Sequence, residues 1–213
     1  MALSETVDEE RRGTVASALL LFHVHFDVAD VPAAEAEFER QGFHVRARFG
    51  YLGREHTRFG PEVSWEELDE RGFRLRLVEL ERGAVNVVLM RAKVSKRRLG
   101  QVGFSADADE HERVLVRARD LGLKTRPNEV RSFVRIDRGL DLELSDARRY
   151  AYGDDALAEL RIESLVIATP EPESASRLVR EFVGPQLAGQ LAFVQSREAF
   201  ARLDSWSLVT AAA

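Results

Sequence analysis

No cysteine occurs among the 213 residues, which excludes disulfides, thiolate zinc sites and cysteine nucleophiles. A long apolar run is also missing. Val15-Ala16-Ser17-Ala18-Leu19-Leu20-Leu21-Phe22 passes straight into charged and histidine-bearing sequence, too short to span a bilayer and without the basic start and cleavage site of a signal peptide. There is no surplus of positive charge: 31 Lys+Arg stand against 36 Asp+Glu, for a net charge of -5. No global field therefore favours nucleic acid or an anionic membrane as a partner. Glycine-rich phosphate loops, a G-x-S-x-G elbow and an H-E-x-x-H helix are all absent, so nucleotide-binding and serine-hydrolase readings have no anchor. What remains is an ordinary soluble balance, 45% apolar and 31% charged. It fits a cytoplasmic protein with a flexible tail over residues 1–18.

The stretch that organises the rest is Leu21-Phe22-His23-Val24-His25-Phe26-Asp27-Val28-Ala29-Asp30. Side chains alternate across a strand, so Phe22, Val24, Phe26 and Val28 are expected on one face and His23, His25 and Asp27 on the other. Pro32 and the helix formers from Ala33 to Gln41 predict a short amphipathic helix that stops at Gly42. Phe43 to Phe49 reads as a strand with Phe43, Val45, Ala47 and Phe49 inward and His44, Arg46 and Arg48 on the opposite face. An insertion from Tyr51 to Gly72 carries Ser64-Trp65-Glu66-Glu67, the S-x-x-E form of a capping box, and predicts a short helix. Phe73 to Leu80 and Ala84 to Met90 supply two more strands around a turn at Glu81-Arg82-Gly83. The first module, residues 19–92, is thus strand, helix, strand, strand, strand. A basic linker, residues 93–98, closes it.

The pattern then repeats in residues 99–146. Leu99 to Ala106 alternates as a strand, Asp109 to Leu121 is helical and stops at Gly122, and Leu123 to Thr125, Val130 to Ile136 and Leu140 to Leu144 supply three strands. Pro127-Asn128 and Asp137-Arg138-Gly139 are the turns. Aligning the Gly83 and Gly139 turns without a gap matches Val87 with Glu143. Residues 147–213 hold a linker and a partial third module: a strand over Glu159 to Ala168, a helix ending near Phe182, and short strands at Ala192 to Gln195 and Trp206 to Thr210 around a helical turn from Arg197 to Leu203. This tail is expected to cover an open sheet edge or to dock on a second copy, giving a homodimer.

Tandem βαβββ modules, each opening on an apolar strand with an Asp-bearing turn and closing on a Gly-turn strand, resemble the glyoxalase, bleomycin-resistance and extradiol-dioxygenase superfamily, the vicinal oxygen chelate fold. The resemblance covers about residues 19–145 and implies an α+β fold whose mixed sheet forms a cup with helices outside. It implies a divalent metal, one of Fe, Mn, Ni, Co, Zn or Mg, held by side chains of the first and last strands of each module. On this chain those are His23, seven residues before Asp30, with Gln101 and Glu143, and an apolar gap at Val87. Three such ligands leave open positions for a substrate with adjacent oxygens.

His25, one pleat along from His23, is the candidate general base, and Asp27 and Asp141 are placed to orient the rings. Glu143, between Leu142 and Leu144, must meet water, metal or a cation. Arg74, Arg76, Arg131 and Arg135 alternate with apolar residues and either bind an anionic ligand or neutralise Glu143 and Asp141. His56 in the insertion and His111 on the second helix read as surface residues. The resulting expectation is a cup that binds a small polar or anionic metabolite. It is either a metal-dependent lyase, isomerase or oxygenase, or a metal-free binding or antibiotic-resistance protein.

Overall fold

The computed structural model describes residues 19–127, 131–146 and 160–210. The expected tail over 1–18, the predicted turn and strand positions Asn128 and Val130, and the linker from 147 to 159 lie outside them. In the first module β1 (Leu20–Val28) leads into α1 (Val31–Arg40). Asp30 caps that helix by accepting from the Ala33 amide at 3.0 Å, and Pro32 sits in its first turn, where no amide donor is needed. There follow β2 (His44–Leu52), β3 (Glu55–Phe59), α2 (Trp65–Glu70), β4 (Phe73–Arg82) and β5 (Val85–Arg91). The Ser64/Glu67 capping box forms as expected at the start of α2. Strand β3, which pairs back on β2, was not legible in the insertion.

The second module runs β6 (Arg98–Ala106), α3 (Ala108–Asp120), β7 (Thr125–Arg126), β8 (Arg131–Asp137) and β9 (Leu140–Asp146). Both modules share one nine-stranded sheet, ordered β3-β2-β4-β5-β1-β6-β9-β8-β7. The opening and closing strands of each module are parallel (β1 with β5, β6 with β9), and the two opening strands pair antiparallel. Equivalent strands paired antiparallel impose a local two-fold relation between the modules. This is the expected fold class: tandem βαβββ units in a mixed sheet, with helices on one side.

The third unit comprises β10 (Arg161–Thr169), α4 (Pro172–Phe182), the single turn α5 (Pro185–Ala188), β11 (Leu191–Gln195) and β12 (Arg202–Val209), in a sheet ordered β11-β10-β12. It reproduces the middle of the large sheet, β5-β1-β6: β10 is parallel to β11 and antiparallel to β12, with two breaks in register at the same offsets as those between β1 and β6. The helical turn expected over Arg197 to Leu203 does not form. Arg202 and Leu203 are already paired with β10, which holds them extended.

One apolar cluster joins all three units on the face opposite the histidines, including Val24, Phe26, Phe38, Leu142, Ile167 and Phe182. Trp206 of β12 stacks on Phe43 at 5.8 Å and meets Phe38 edge-on at 6.2 Å, so the third unit closes this core. Two bulges alter the expected facing. The β1 register breaks between Leu21 and His23, which sends Leu21 into the core cluster and brings the Phe22 ring beside His23 at 5.7 Å. On β2 the register breaks between Val45 and Ala47, which turns Arg48 inward against α1 instead of outward. Among the described residues no helix is long and apolar enough to cross a membrane.

Candidate functional site

Register aligns two rows of side chains across the histidine-bearing face. One row is Asn86 on β5, His23 on β1, Gly103 on β6, Glu143 on β9 and Phe133 on β8; the next is Val88, His25, Gln101, Asp141 and Arg135 on the same strands. The local two-fold exchanges them: His23 corresponds to Gln101, His25 to Gly103, Asn86 to Asp141, and Val88 to Glu143. The gapless match of Val87 with Glu143 is therefore one residue out, and Val87 lies in the core opposite Val24. The cause is turn chemistry. Gly83 is the first residue of the loop between Arg82 and Val85, whereas Gly139 is the second residue of the loop between Asp137 and Leu140. Both have positive φ (57° and 79°) while Ala84 and Arg138 do not, as in turns of types II′ and II. Equivalent glycines are not equivalent positions.

The first row holds a buried dyad. His23 Nδ1 donates to Asn86 Oδ1 at 2.6 Å, and Asn86 Nδ2 donates in turn to the Leu80 carbonyl at 3.3 Å. The Asn86 amide thereby places a proton on Nδ1, and Nε2 stands 3.8 Å from Glu143 Oε2. Glu143 is 3% exposed; its Oε1 accepts from Ser145 Oγ at 3.0 Å, and its Oε2 is buried with no hydrogen-bond partner. Gly103 makes the approach feasible. A Cβ there would lie 2.7 Å from His23 Cβ and 2.9 Å from its Cδ2, so any side chain would displace the ring and block the space between imidazole and carboxylate.

In the second row His25 Nδ1 donates to Gln101 Oε1 at 3.0 Å. Its Nε2 is 3.9 Å from Asp27 Oδ1 and, like Glu143 Oε2, is buried without a hydrogen bond. Burial pushes the His25 imidazole below the usual histidine range, and the neighbouring His23 adds to this. The Gln101 hydrogen bond and the charges of Asp27 and Glu143 pull the other way. Lowered in this way, the His25 imidazole is neutral near pH 7.

The outer part of the second module is charged. Asp141, 4% exposed, is gripped by both nitrogens of the Arg135 fork and by Arg126 NH2 at 2.6 Å. The hydrogen bond to Asp141 raises the Arg135 pKa. Arg131 NH1 lies 3.6 Å from Glu143 Oε1. Arg74 is not brought to this centre: its NH2 donates to the Gly53 carbonyl at 2.6 Å, and its guanidinium lies over Tyr51 in the β2–β3 hairpin. Arg76 is exposed at a break in the β2–β4 register. His56 is exposed on β3, between Phe49 and Tyr51, and His111 is half-buried on α3 rather than solvent-facing. Sequence reading missed Asn86, Gly103, Ser145 and Arg126. Of these only Asn86, a polar residue flanked by valines on a strand, carried a signal of its own.

Among the described residues Glu143 Oε2 is a buried acceptor without a hydrogen bond, which a cation or a hydrogen-bond donor would meet. Imidazole nitrogen, amide oxygen and carboxylate suit a divalent ion. Among the described residues no group of three or more His, Cys, Asp or Glu is placed to hold one. The set would consist of His23 and Glu143 completed by the amide oxygen of Gln101.

No family model and no curated protein matches the chain. Solved structures do. A 2,3-dioxygenase from Pseudomonas sp. KL28 aligns at a TM-score of 0.57 and 14% identity over 92% of this chain and 76% of that one. A mutant 4-hydroxymandelate synthase from Streptomyces coelicolor aligns at 0.53 and 14%, over 76% and 50%. The Mn(II)-bound glyoxalase from Novosphingobium aromaticivorans aligns at 0.50 and 14%, over 79% and 53%. The chain thus spans about half the length of the synthase and glyoxalase chains. At such identities the likeness is one of fold.

Proposed function

We propose that this chain, whose fold is that of the vicinal oxygen chelate superfamily, binds a small polar or anionic metabolite over the His23–Glu143 row and holds a divalent metal there for lyase, isomerase or oxygenase chemistry. The observation that carries the proposal is the buried Glu143 Oε2, without a hydrogen bond and 3.8 Å from His23 Nε2, beside Gly103. An isolated buried carboxylate oxygen is costly, and a bound cation relieves that cost. The likeness to a glyoxalase described as Mn(II)-bound and to a 2,3-dioxygenase supports the choice of chemistry.

His23 and Glu143 would hold the ion and Gln101 would contribute its amide oxygen. A divalent ion so bound polarises substrate oxygens as a Lewis acid. The protein's own part is orientation and proton transfer. Asn86 fixes the His23 tautomer, Ser145 steadies Glu143 through Oε1, and burial keeps bulk water from the row. His25 accepts a proton at Nε2, and Asp27, 3.9 Å away, stabilises the imidazolium that forms.

A metal-free binding or antibiotic-resistance protein is the second reading. The observation favouring it is that Gln101 Oε1 already accepts from His25. Elemental analysis and Mn(II) titration followed by electron paramagnetic resonance separate the two. One ion per chain, lost in His23→Ala and in Glu143→Gln, supports the metal centre. No uptake of Mn, Fe, Ni, Co, Zn or Mg removes it and leaves the binding protein.

A further inference from the structure

The two halves of the cup floor are related by the two-fold but opposite in chemistry. Where the second module has Arg131, Arg126 and Ser145, the first has Leu77, Ala47 and Met90 at the corresponding register positions. Val88, at the position corresponding to Glu143, continues the contrast. On the first-module side an apolar strip of Val88, Leu77, Ala47 and Met90 therefore lies beside two carboxylates, Glu79 and Glu81, which stand where the second module has Phe133 and Arg135. The other side carries three guanidiniums, from Arg126, Arg131 and Arg135, over two carboxylates. The charges are also layered by depth: the arginine side chains are 58%, 44% and 45% exposed, whereas those of Asp141 and Glu143 are 6% and 3%. Positive charge faces outward and negative charge is sunk beneath it.

From this polarity, and resting on the reading that this face binds a small molecule, we infer that the ligand is a small carboxylate with an apolar tail. Its carboxylate meets the Arg131 guanidinium, which lies 3.6 Å from Glu143 and so beside the central row. Its tail runs over His25 and Val88 toward Leu77. The half-buried Glu79, beside Val88 on this face, repels the acid end and sets the direction. The ligand's orientation is fixed before any chemistry at the centre.

The test is calorimetric titration of the full chain with 3-phenylpropionate, its neutral amide 3-phenylpropionamide, and acetate. The expected order is 3-phenylpropionate at least about tenfold tighter than the amide, from the charge-assisted bond, and tighter than acetate by a similar factor. Arg131→Leu, which installs the side chain found at the corresponding position 77, erases the preference for acid over amide without weakening the amide. Arg131→Lys restores part of the preference, which shows that the loss in the leucine variant is one of charge. Equal binding of acid and amide, or a preference that survives Arg131→Leu, overturns the inference. Mn(II) titration in parallel tells the two levels apart. Uptake that depends on His23, together with indifference to the carboxylate, sinks this inference alone; neither ion nor any probe bound sinks the functional reading with it.

Discussion

Two glutamates are almost equally buried in this molecule, Glu35 on α1 at 4% exposure and Glu143 on β9 at 3%, and their surroundings differ in kind. Glu35 accepts from Arg48 Nε at 3.0 Å, from Arg48 NH2 at 2.6 Å and from Trp65 Nε1 at 3.0 Å. The remaining Arg48 nitrogen donates to the Val63 carbonyl at 2.8 Å, and the guanidinium lies over the Trp65 ring at 4.8 Å. Nothing in that pair is left unmet. Glu143 has one hydrogen bond, from Ser145, with Arg131 3.6 Å from the same oxygen, and its second oxygen, 3.8 Å from His23 Nε2, has none. A saturated buried charge ties elements together, here α1, β2 and the insertion; an unsaturated one awaits something the chain does not supply.

The contrast is broken most forcefully at Arg48. Arg48→Met leaves Glu35 buried and unpaired and is expected to cost about 3–5 kcal/mol in urea denaturation, while Mn(II) uptake by the folded fraction is unchanged. Removing both partners, in Glu35→Leu with Arg48→Met, is expected to recover most of that loss, because no uncompensated charge remains. A single variant within about 1 kcal/mol of the parent shows instead that the pair does not tie the elements.

Gly103→Ala tests the cup from the other side. The added Cβ meets His23 at 2.7 Å and 2.9 Å, on a strand whose backbone has little room to give, and an overpacking cost of about 1–3 kcal/mol is expected. Unlike Arg48→Met it should also weaken Mn(II) binding, since the ring it displaces is the proposed ligand. Loss of stability with binding intact argues that His23 is only a packed histidine.

The order of elements, the module repeat and the capped helices were legible because each rests on local chemistry: Asp30 and Asp107 accept from the amides of Ala33 and Glu110, and the apolar alternation of β1, β6 and β9 is strong. Asn86, Gly103 and Phe133 of the central row were not legible. Its membership depends on cross-strand register, and one residue of error at the Gly83 and Gly139 turns exchanges Val87 for Val88 and conceals Asn86. Bulges at Phe22 and Arg46 had the same effect on facing, and they hid the Glu35–Arg48 pair entirely. Register is decided by tertiary pairing, and a single strand does not declare it.

The difference between the two sites also has a pH signature. The lowered pKa of His25 means that the unfolded chain takes up this proton first. The contribution is therefore complete above the unfolded value of 6.5 and is lost as pH falls below it toward the folded value. The slope across that window reaches up to about 1.4 kcal/mol per pH unit. Urea denaturation at pH 7.5, 6.5 and 5.5, in arbitrary steps across about two pH units around the histidine range, should show the loss in the parent and a flatter profile in His25→Gln. Parallel profiles for the two proteins would mean that His25 titrates as an ordinary surface histidine.

The smallest stability effect is the most telling. Glu143→Gln keeps the shape of the side chain and its acceptor toward Ser145, and it removes a charge that the fold leaves half unmet. An amide is far cheaper to bury than a carboxylate oxygen without a hydrogen bond. Stability should therefore stay within about 1 kcal/mol of the parent, or rise, although the residue is as deeply buried as Glu35. Outer partners of metal ligands are typically worth about 10–100-fold in affinity, so loss of a direct ligand should weaken Mn(II) at least about 100-fold. Denaturation and Mn(II) titration on one preparation give both numbers. If Glu143→Gln instead unfolds the chain as Arg48→Met does, the carboxylate has a partner that holds the fold together, and the two glutamates are alike after all.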